Sequence, residues 1–417
     1  MIDYEEFFSH AAGHMKASAI RKMGGVVADG RDIVSLAPGY PAEDTFAWRD
    51  FQEIARELLT GNDGSVLQYG PTRGYRPLVD TIIGVMTRRG APTSRDRILV
   101  TTGSQQGLDL VARVLLDPHD VILVELPTYT GAISAFRNVQ AEMVGVRQHA
   151  DGIDLDELDE TWVGLERAGR RARLLYLVPN FQNPTGLLIG RAKRTAVLEW
   201  ANRRDVLIVE DDPYRDLYFE DVATEADVRP IRADDSGRVI YLSSFSKTLA
   251  PGYRVAWIDA PSPVAVKLEL AKQAADLCTG ELDQRIVYEA CRRGILERQV
   301  PILRRYYQTK RDVMLGALRQ HLGDLLTLSE PRGGFFLWAT LPSAVDADAL
   351  LTRAIEHGVA YVAGQAFFVN GSGRHFVRLS FSAPTPDRIE EGVRRLAAAV
   401  REELATRQSE SPLRATP

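Results

Sequence analysis

A lysine within a run of hydroxyl side chains is the most chemically suggestive feature of this sequence. Lys247 lies in Ser243-Ser244-Phe245-Ser246-Lys247-Thr248, between two apolar segments and seven residues before Arg254. An isolated lysine is usually a solvated surface charge. A lysine held in a polar cluster between buried strands is instead suited to form a Schiff base with a carbonyl compound. The neighbouring serines and Arg254 would add an anion-binding cluster.

Three consecutive carboxylates follow another apolar segment. Glu210, Asp211 and Asp212 come directly after Val206-Leu207-Ile208-Val209 and precede Pro213-Tyr214. Carboxylates at the end of a buried strand are costly to desolvate unless they meet a cation, a metal or a protonated ligand. The residues alone leave three interpretations open: a metal site, a site for a protonated ligand, or a solvated acidic loop. No histidine lies nearby in the sequence to support a metal site.

Two further segments carry groups that suit anions. The apolar run Ile98–Thr102 leads into Gly103-Ser104-Gln105-Gln106-Gly107 and then a predicted helix, so its backbone amides favour a phosphate. Ser104 could equally be a plain N-cap residue. Arg378 lies in an apolar, strand-like stretch, where an unpaired guanidinium would be costly unless the position is an exposed edge.

The elements that position these residues alternate along the chain. From about residue 97 to about residue 260, short apolar runs alternate with amphipathic segments, which predicts a mainly parallel sheet with helices on both faces. Ligands of such sheets bind beyond the carboxyl ends of the strands. The predicted strands are Arg97–Thr102, Asp120–Val124, Ala141–Val146, Leu174–Val178, Val206–Glu210, Val239–Leu242 and Val255–Ile258.

The pattern changes near residue 300, which predicts a second, smaller domain. A long helix over Val300–His321 precedes a hairpin-like Gly333-Gly334-Phe335-Phe336 segment and mixed helices and strands. The predicted domains are an N-terminal arm over 1–50 that joins the small domain, a large domain over 51–300, a small α+β domain over 301–406 and a disordered tail over 407–417.

Composition restricts the classes of function. The 417 residues are 45% hydrophobic and 26% charged, with a formal net charge of −5, which fits a globular protein and excludes disorder for the whole chain. No strongly basic block favours nucleic acid. Cys278 and Cys291, the only cysteines, are too few for a disulfide framework or a clustered zinc site. Because no signal peptide or membrane-length apolar stretch is evident, we expect a soluble, cytoplasmic protein.

Together these motifs resemble those of class I/II, fold-type I aminotransferases that depend on pyridoxal 5′-phosphate (PLP), in the branch of 2-aminoadipate and kynurenine aminotransferases. The resemblance extends from about Lys16 to Ala399. It implies an α/β fold with a mainly parallel seven-stranded sheet, amino transfer between an L-amino acid and a 2-oxo acid by a ping-pong route, and a homodimer with a shared active site. The motifs that carry it are Gly103–Gln106, Pro179–Gly186, Glu210–Tyr214, Ser244–Lys247 and Val377–Ser380.

The resemblance implies a role for each cofactor-binding residue. Lys247 corresponds to the lysine that holds PLP as a Schiff base and moves the substrate proton. Asp211 corresponds to the carboxylate that keeps the pyridine nitrogen protonated. Asn183 and Tyr214 correspond to the pair on the ring's phenolic oxygen, and Tyr129 to an aromatic side chain stacked on the ring. The implied phosphate ligands are Ser104, Gln105, Ser244, Ser246 and Arg254, with Tyr69 supplied by the neighbouring subunit.

The resemblance also implies how the substrate is held. Arg378 corresponds to the arginine that binds the α-carboxylate through a two-pronged pair, and Asn183 and the backbone of Gly39 complete that contact. Arg21 falls where an arginine meets the side-chain carboxylate of 2-aminoadipate or glutamate, although it could equally be a solvated helix residue. Tyr40, following Ala37-Pro38-Gly39, departs from the family's usual double glycine and adds bulk.

The identity of the substrate stays open at this point. Glu43, Asp44 and Asp283 would place extra negative charge near the pocket mouth, which suits a guanidino or amino side chain as well as the acidic and aromatic possibilities. A PLP-dependent lyase, decarboxylase or amino-acid oxidase on the same fold is an alternative activity. A non-enzymatic regulator domain is not expected, because only about 30 residues precede the matching region and the charge is acidic. No metal is implied.

Overall fold

Strands of the described chain form one large sheet and two smaller ones. The structure is a computed structural model that describes residues 2–17, 32–235 and 237–410. In chain order the strands are β1 (Val34–Ser35), β2 (Ile98–Thr102), β3 (Val121–Leu126), β4 (Glu142–His149), β5 (Gly152–Ile153), β6 (Ala172–Leu177), β7 (Leu207–Asp211), β8 (Val239–Ser244), β9 (Val255–Asp259), β10 (Thr327–Leu328), β11 (Phe336–Thr340), β12 (Val359–Ala360), β13 (Val362–Ala363) and β14 (Phe376–Ser380).

The large sheet has eight strands in the order β2-β9-β8-β7-β6-β3-β4-β5. β9 and β5 run antiparallel to their neighbours, and the remaining neighbouring pairs are parallel. The carboxyl ends of β2, β3, β6, β7 and β8 therefore lie at one edge, together with the amino end of β9. The predicted mainly parallel sheet is confirmed. The predicted number of seven strands is wrong, because β5 is an edge strand of two residues, too short to give a periodic signal.

Alternate residues of each strand point to opposite faces, and helices cover both. In β6, Leu174 and Tyr176 pack in one hydrophobic cluster, whereas Leu175 and Leu177 pack in another. The α-helices of the described residues are α1 (His10–His14), α2 (Trp48–Thr60), α3 (Arg76–Arg88), α4 (Ser104–Leu115), α5 (Thr130–Asn138), α6 (Leu155–Arg167), α7 (Arg191–Arg204), α8 (Ser262–Ala275), α9 (Glu281–Arg292), α10 (Ile295–Leu322), α11 (Ala347–Glu356) and α12 (Pro386–Glu410).

The C-terminal part of the chain forms a smaller antiparallel sheet in the order β10-β11-β14-β13. β1 pairs with β12, so the segment that begins at residue 32 lies beside the C-terminal part of the chain. The sequence predicts that the N-terminal arm joins the small domain there. The predicted helix over Val300–His321 is part of α10, which begins earlier, at Ile295, so the boundary predicted at residue 300 falls inside a helix. α12 continues through Glu410, so the first residues of the predicted tail are helical. In the described ranges, no helix has the length and apolar character needed to cross a membrane.

Candidate active site

Lys247 follows β8 at the edge where the parallel strands end. Its side chain is partly buried, and Nζ donates a 3.2 Å hydrogen bond to the carbonyl oxygen of Gly39. Burial, followed by the positive charges of Arg254 and Arg378, lowers the pKa of Lys247 to about 8. A lysine amine with this pKa is neutral for part of the time near neutral pH, which a nucleophile that attacks a carbonyl requires.

Asp211 is the carboxylate that faces the site. Its Oδ2 accepts a 2.8 Å hydrogen bond from the Tyr176 hydroxyl. Oδ1 is buried and has no hydrogen-bond partner within the described part of the chain. Burial raises the pKa of Asp211 to about 7. A buried carboxylate oxygen left open in this way fits a protonated ring nitrogen such as that of PLP.

The two flanking carboxylates serve the framework of the protein. Strand alternation places Glu210 and Asp212 on the face opposite Asp211. Glu210 accepts hydrogen bonds from the backbone amides of Ile231 and Arg232, at 2.9 and 2.8 Å. Asp212 accepts from Asn180 Nδ2 at 2.8 Å and from the Tyr241 hydroxyl at 2.7 Å. Among the residues that the structure describes, no group of acidic, histidine or cysteine side chains is arranged to hold a metal ion.

Two segments distant in sequence meet beside Lys247 to form an anion cradle. Gly103 has a φ of +80°, and a Cβ at this position would lie 2.0 Å from Arg254 Nη2, so only glycine allows the guanidinium to approach the start of α4. Ser244 Oγ accepts from the Ser246 amide at 2.9 Å and donates to Ser246 Oγ at 2.7 Å.

The amides at the start of α4 complete this cradle. Gly103 O accepts from the amides of Gln106 and Gly107, so the preceding amides of Ser104 and Gln105 lie at the open end of the helix. The side chain of Gln105 turns elsewhere and donates to the Gly131 carbonyl at 2.9 Å. The helix end, the serine hydroxyls and the Arg254 guanidinium together fit a phosphate dianion.

Tyr129, Asn183 and Tyr214 lie on the same side of the sheet edge. The Tyr129 hydroxyl donates to Gln105 Oε1 at 3.5 Å, which places this ring beside the start of α4. Tyr214 is buried and hydrogen-bonded to Asn183, and desolvation, followed by the nearby Tyr129, raises the Tyr214 pKa. The centre of the Tyr214 ring lies 5.8 Å from Lys247 Nζ, and the roles of all three residues toward the cofactor stay predictions.

Arg378 lies at the centre of the small sheet and is fully buried. The alternative of an exposed edge position is therefore wrong. Its Nη1 donates to Asn183 Oδ1 at 2.7 Å, Nη2 donates to the Ala37 carbonyl, and Nε has no hydrogen-bond partner within the described residues. The guanidinium lies 4.3 Å from the centre of the Phe336 ring. Burial lowers the pKa of Arg378 to about 10, and a carboxylate ligand would offset this cost.

The loop before the large domain links Lys247 to Arg378. Ala37 accepts from Arg378 and Gly39 accepts from Lys247, while a Cβ at Gly39 would lie 2.4 Å from the Phe336 ring. The Tyr40 carbonyl accepts a 2.7 Å hydrogen bond from Ser382, and the Tyr40 side chain is 61% exposed.

Other predicted substrate residues lie outside this constellation or outside the described residues. Arg21 falls in 18–31, which the structure does not describe. The Asp44 carboxylate accepts from the Tyr306 hydroxyl at 2.7 Å and is engaged there. Tyr69 is 79% exposed.

Sequence reasoning missed two contributors. Tyr176 lies in the apolar run of β6, where a tyrosine with a functional hydroxyl cannot be distinguished by sequence from a tyrosine that only packs in the core. For Phe335 the sequence predicts only a hairpin-like segment. In the structure, the centre of its ring lies 5.7 Å from Lys247 Nζ and 5.5 Å from the centre of the Tyr214 ring. A doublet of glycines followed by two aromatics was the available sequence signal for Phe335.

Comparisons with known proteins agree with this geometry. A family model described as Aminotransferase class I and II matches residues 31–396. The chain is 41% identical over 405 residues to aromatic-amino-acid aminotransferase 1 of Thermococcus litoralis, with 97% of this chain and 96% of that protein covered. It is 40% identical over 407 residues to the 2-aminoadipate transaminase of Thermus thermophilus, with 97% and 99% covered.

A solved structure gives the same result. The structure of a Pyrococcus horikoshii kynurenine aminotransferase in complex with PMP has a TM-score of 0.91 and 38% identity, covering 96% of this chain and 98% of that chain. The Asp211 oxygen without a hydrogen-bond partner in the described chain, the lowered pKa of Lys247 and the anion cradle fit the cofactor that this family uses. The chain belongs to the aminotransferase class I and II family and is a PLP-dependent aminotransferase.

Proposed function

We propose that this protein is a homodimer that transfers the amino group of an aromatic L-amino acid to a 2-oxo acid such as 2-oxoglutarate by a two-step, ping-pong route. The observation that carries this proposal is the buried Arg378, whose Nε is unsatisfied in the described chain and whose surroundings are aromatic. Amino acids and 2-oxo acids share a carboxylate beside the reacting carbon, so one arginine serves both half-reactions.

The cofactor would be held by residues that follow several strands of the large sheet. Lys247 would supply the covalent link, Asp211 would pair with the ring nitrogen, and Asn183 and Tyr214 would bind the phenolic oxygen. Bound there, PLP supplies a ring that accepts electrons and so stabilises negative charge at the substrate Cα. The phosphate would be bound by Ser104, Gln105, Ser244, Ser246 and Arg254.

Proton transfer at the substrate falls to Lys247. As a neutral free amine, Lys247 Nζ would take the proton from the substrate Cα, and as an ammonium group it would donate that proton to the cofactor carbon that carries the amino group. Its pKa of about 8 lies close to neutrality, where a group can both accept and donate a proton efficiently. The Gly39 carbonyl, 3.2 Å away, can orient the amine for that task.

The described residues favour a substrate with an aromatic side chain over one with an acidic or a guanidino side chain. The buried rings of Phe335 and Phe336 lie beside Lys247 and Arg378, and the exposed side chain of Tyr40 follows Gly39, whose carbonyl contacts Lys247. An acidic side chain would need a further cation, the role assigned to Arg21. A guanidino side chain would need an available carboxylate, and Asp44 is already engaged by Tyr306.

The exposed side chains of Tyr69 and Leu67, at 79% and 75%, support the proposed homodimer. A tyrosine hydroxyl that reaches the phosphate of a second copy would complete both sites at once. The shared-site prediction therefore ties oligomeric state to activity.

A donor panel tests the proposal. The purified PLP-bound protein is mixed in turn with phenylalanine, tyrosine, kynurenine, 2-aminoadipate, glutamate and arginine, and the visible band of the cofactor and the 2-oxo acid product are followed. We expect aromatic donors to bleach the band with one 2-oxo acid formed per site, and 2-oxoglutarate to restore it. Arg21→Gln should raise KM only for the acidic donors. Oxygen consumption or carbon dioxide release without bleaching would contradict transamination.

A further inference from the structure

We propose that Arg285 and Glu281 of α9, here called the α9 clamp, position the segment 63–75 so that Tyr69 can serve the active site of a second copy of the chain. The inference rests on the homodimer and on the Tyr69 role proposed above. Arg285 touches neither substrate nor cofactor in its own subunit, so it is a positioning residue that acts in trans.

Arg285 uses its whole guanidinium fork on this segment and on Glu281. Nη1 donates to Asp63 Oδ2 at 2.9 Å, Nη2 donates to Ser65 Oγ at 2.7 Å, and Nε donates to Glu281 Oε1 at 2.9 Å. The Arg285 side chain is only 13% exposed. A planar fork satisfied on three sides fixes the angle between α9 and the segment.

Glu281 brings the clamp against the residue that follows Tyr69. The carboxylate is buried, and its Oε2 has no hydrogen-bond partner within the described residues. A Cβ at Gly70 would lie 2.3 Å from this oxygen, so Gly70 and Glu281 are in close contact. A larger residue at 70 would displace either the Glu281 carboxylate, which Arg285 holds, or the backbone beside Tyr69.

The far end of the segment is also fixed to α9. Gln284 Oε1 accepts a 2.7 Å hydrogen bond from the Tyr75 amide, and the Arg285 guanidinium lies 4.8 Å from the Tyr75 ring. Between the two fixed ends, Val66 is buried, while Leu67 and Tyr69 are 75% and 79% exposed. A rigid segment that presents a large aliphatic and an aromatic side chain outward suits contact with a second copy.

Heterodimers with one working site separate action in trans from action in cis. Two differently tagged chains are co-expressed and the mixed dimer is purified by both tags. In the trans arm, a wild-type chain is paired with a Lys247→Ala, Arg285→Met chain, so the working site receives its Tyr69 from the altered clamp. In the cis arm, an Arg285→Met chain is paired with a Lys247→Ala chain, whose clamp is intact.

The readouts are the release rate of the covalently held PLP and the KM and kcat of the single site. We expect PLP release to be about tenfold faster in the trans arm, because the working site loses one charge-assisted hydrogen bond. In the cis arm we expect the release rate of the reference dimer, which pairs a wild-type chain with a Lys247→Ala chain. Equal effects in both arms, or an effect in the cis arm alone, would overturn the proposal. Ser65→Ala in the same two arms repeats the test with a smaller change if Arg285→Met does not yield a folded dimer.

Two controls distinguish the clamp from the proposed shared site. Arg292→Gln removes an arginine of the same helix that is 55% exposed and that pairs, within the described residues, with Glu289 of α9, and it should leave both arms at the reference value. Tyr69→Phe, placed in the same two arms in place of Arg285→Met, should likewise speed PLP release in the trans arm and not in the cis arm, an asymmetry between the arms. If Tyr69→Phe shows the asymmetry and the Arg285 and Ser65 variants do not, the clamp alone is refuted. If Tyr69→Phe shows none, the shared site is refuted and the clamp with it.

Discussion

The Tyr176 hydroxyl in β6 donates a 2.8 Å hydrogen bond to Oδ2 of Asp211 in the neighbouring strand β7. The other carboxylate oxygen, Oδ1, is buried and has no hydrogen-bond partner within the described residues. One strand thus fixes the orientation of a carboxylate that the next strand supplies. This hydrogen bond opposes the effect of burial, which raises the pKa of Asp211 to about 7. A protonated ring nitrogen facing Oδ1 would lower that pKa further and keep the carboxylate ionised.

The first prediction concerns the stability of the PLP-free protein. Because the folded pKa of Asp211 lies above its ordinary value of 3.8, its contribution to stability is fully present below about pH 4 and is lost as pH rises through about 7. Asp211→Asn should therefore weaken the fall in melting temperature between about pH 5 and about pH 8, and Tyr176→Phe should strengthen it. An unchanged pH slope in Asp211→Asn would contradict the assignment.

A control for this prediction lies in the same protein. Burial also raises the pKa of Glu125 to about 8, where it accepts from the Val178 amide and Gln182 Nε2, both at 2.8 Å. Glu125→Gln should likewise reduce the pH slope. Added PLP should remove the Asp211 part of the slope and leave the Glu125 part in place, because the proposed contact with the ring nitrogen is made by Asp211 and not by Glu125.

The second prediction concerns capture of the cofactor by Lys247. Only the neutral amine attacks a carbonyl, and the pKa of Lys247 is lowered from 10.5 to about 8. The rate of visible-band formation after PLP is mixed with the PLP-free protein should therefore rise with pH and level off above about 8. Arg254→Gln removes one of the two cations that act on the amine and should move this midpoint upward. A midpoint near that of free lysine would refute the assigned pKa.

The sequence predicts the mainly parallel sheet and brings its candidate site residues to one end of it, for a physical reason. Apart from β5, which has two residues, the strands from β2 to β9 are apolar runs long enough to be recognised, and chemistry-bearing residues follow several of them directly. The motifs at Ser244–Lys247 and Glu210–Tyr214 therefore meet because parallel strands end at one edge. Arg254 joins them because β9 runs in the opposite direction and begins at that edge.

Side-chain contacts between segments that are distant in sequence could not be predicted, because they depend on how those segments pack. Nothing local predicts that Tyr176 reaches Asp211, or that Gly103 is a glycine because the Arg254 guanidinium would clash with a Cβ there. The acidic residue Asp44 looked available for a cationic substrate, and only the fold reveals Tyr306 against it. Substrate choice depends on such contacts, so the motifs alone left it open.

The third prediction concerns Arg378 and the substrate carboxylate. Arg378→Gln should lower kcat/KM for every amino donor by at least about tenfold, because a charge-assisted hydrogen bond contributes about 1.5 to 3 kcal/mol. The loss should be the same for aromatic and acidic donors, since all carry the α-carboxylate. Arg374→Gln, at a 65% exposed arginine near the same strand, is the matched control and should retain full kcat/KM. A loss confined to acidic donors would assign Arg378 to the side chain instead.

The fourth prediction concerns the buried ion pair behind the site. Arg89 donates to Asp216 at 2.6 Å, to the Tyr241 hydroxyl at 2.8 Å and to Ser243 at 3.0 Å, with its own side chain 7% exposed. Arg89→Met would remove one of the two arginines that pair with Asp216, the other being Arg215, and would take this donor from Tyr241 and Ser243, so we expect a loss of at most about 3 to 5 kcal/mol, the typical cost of breaking a buried pair. Arg95→Met breaks an arginine–aspartate pair that is largely exposed to solvent and should leave the free energy of unfolding unchanged. Urea denaturation of both variants measures the difference, and equal midpoints would show that Arg89 does not support the fold.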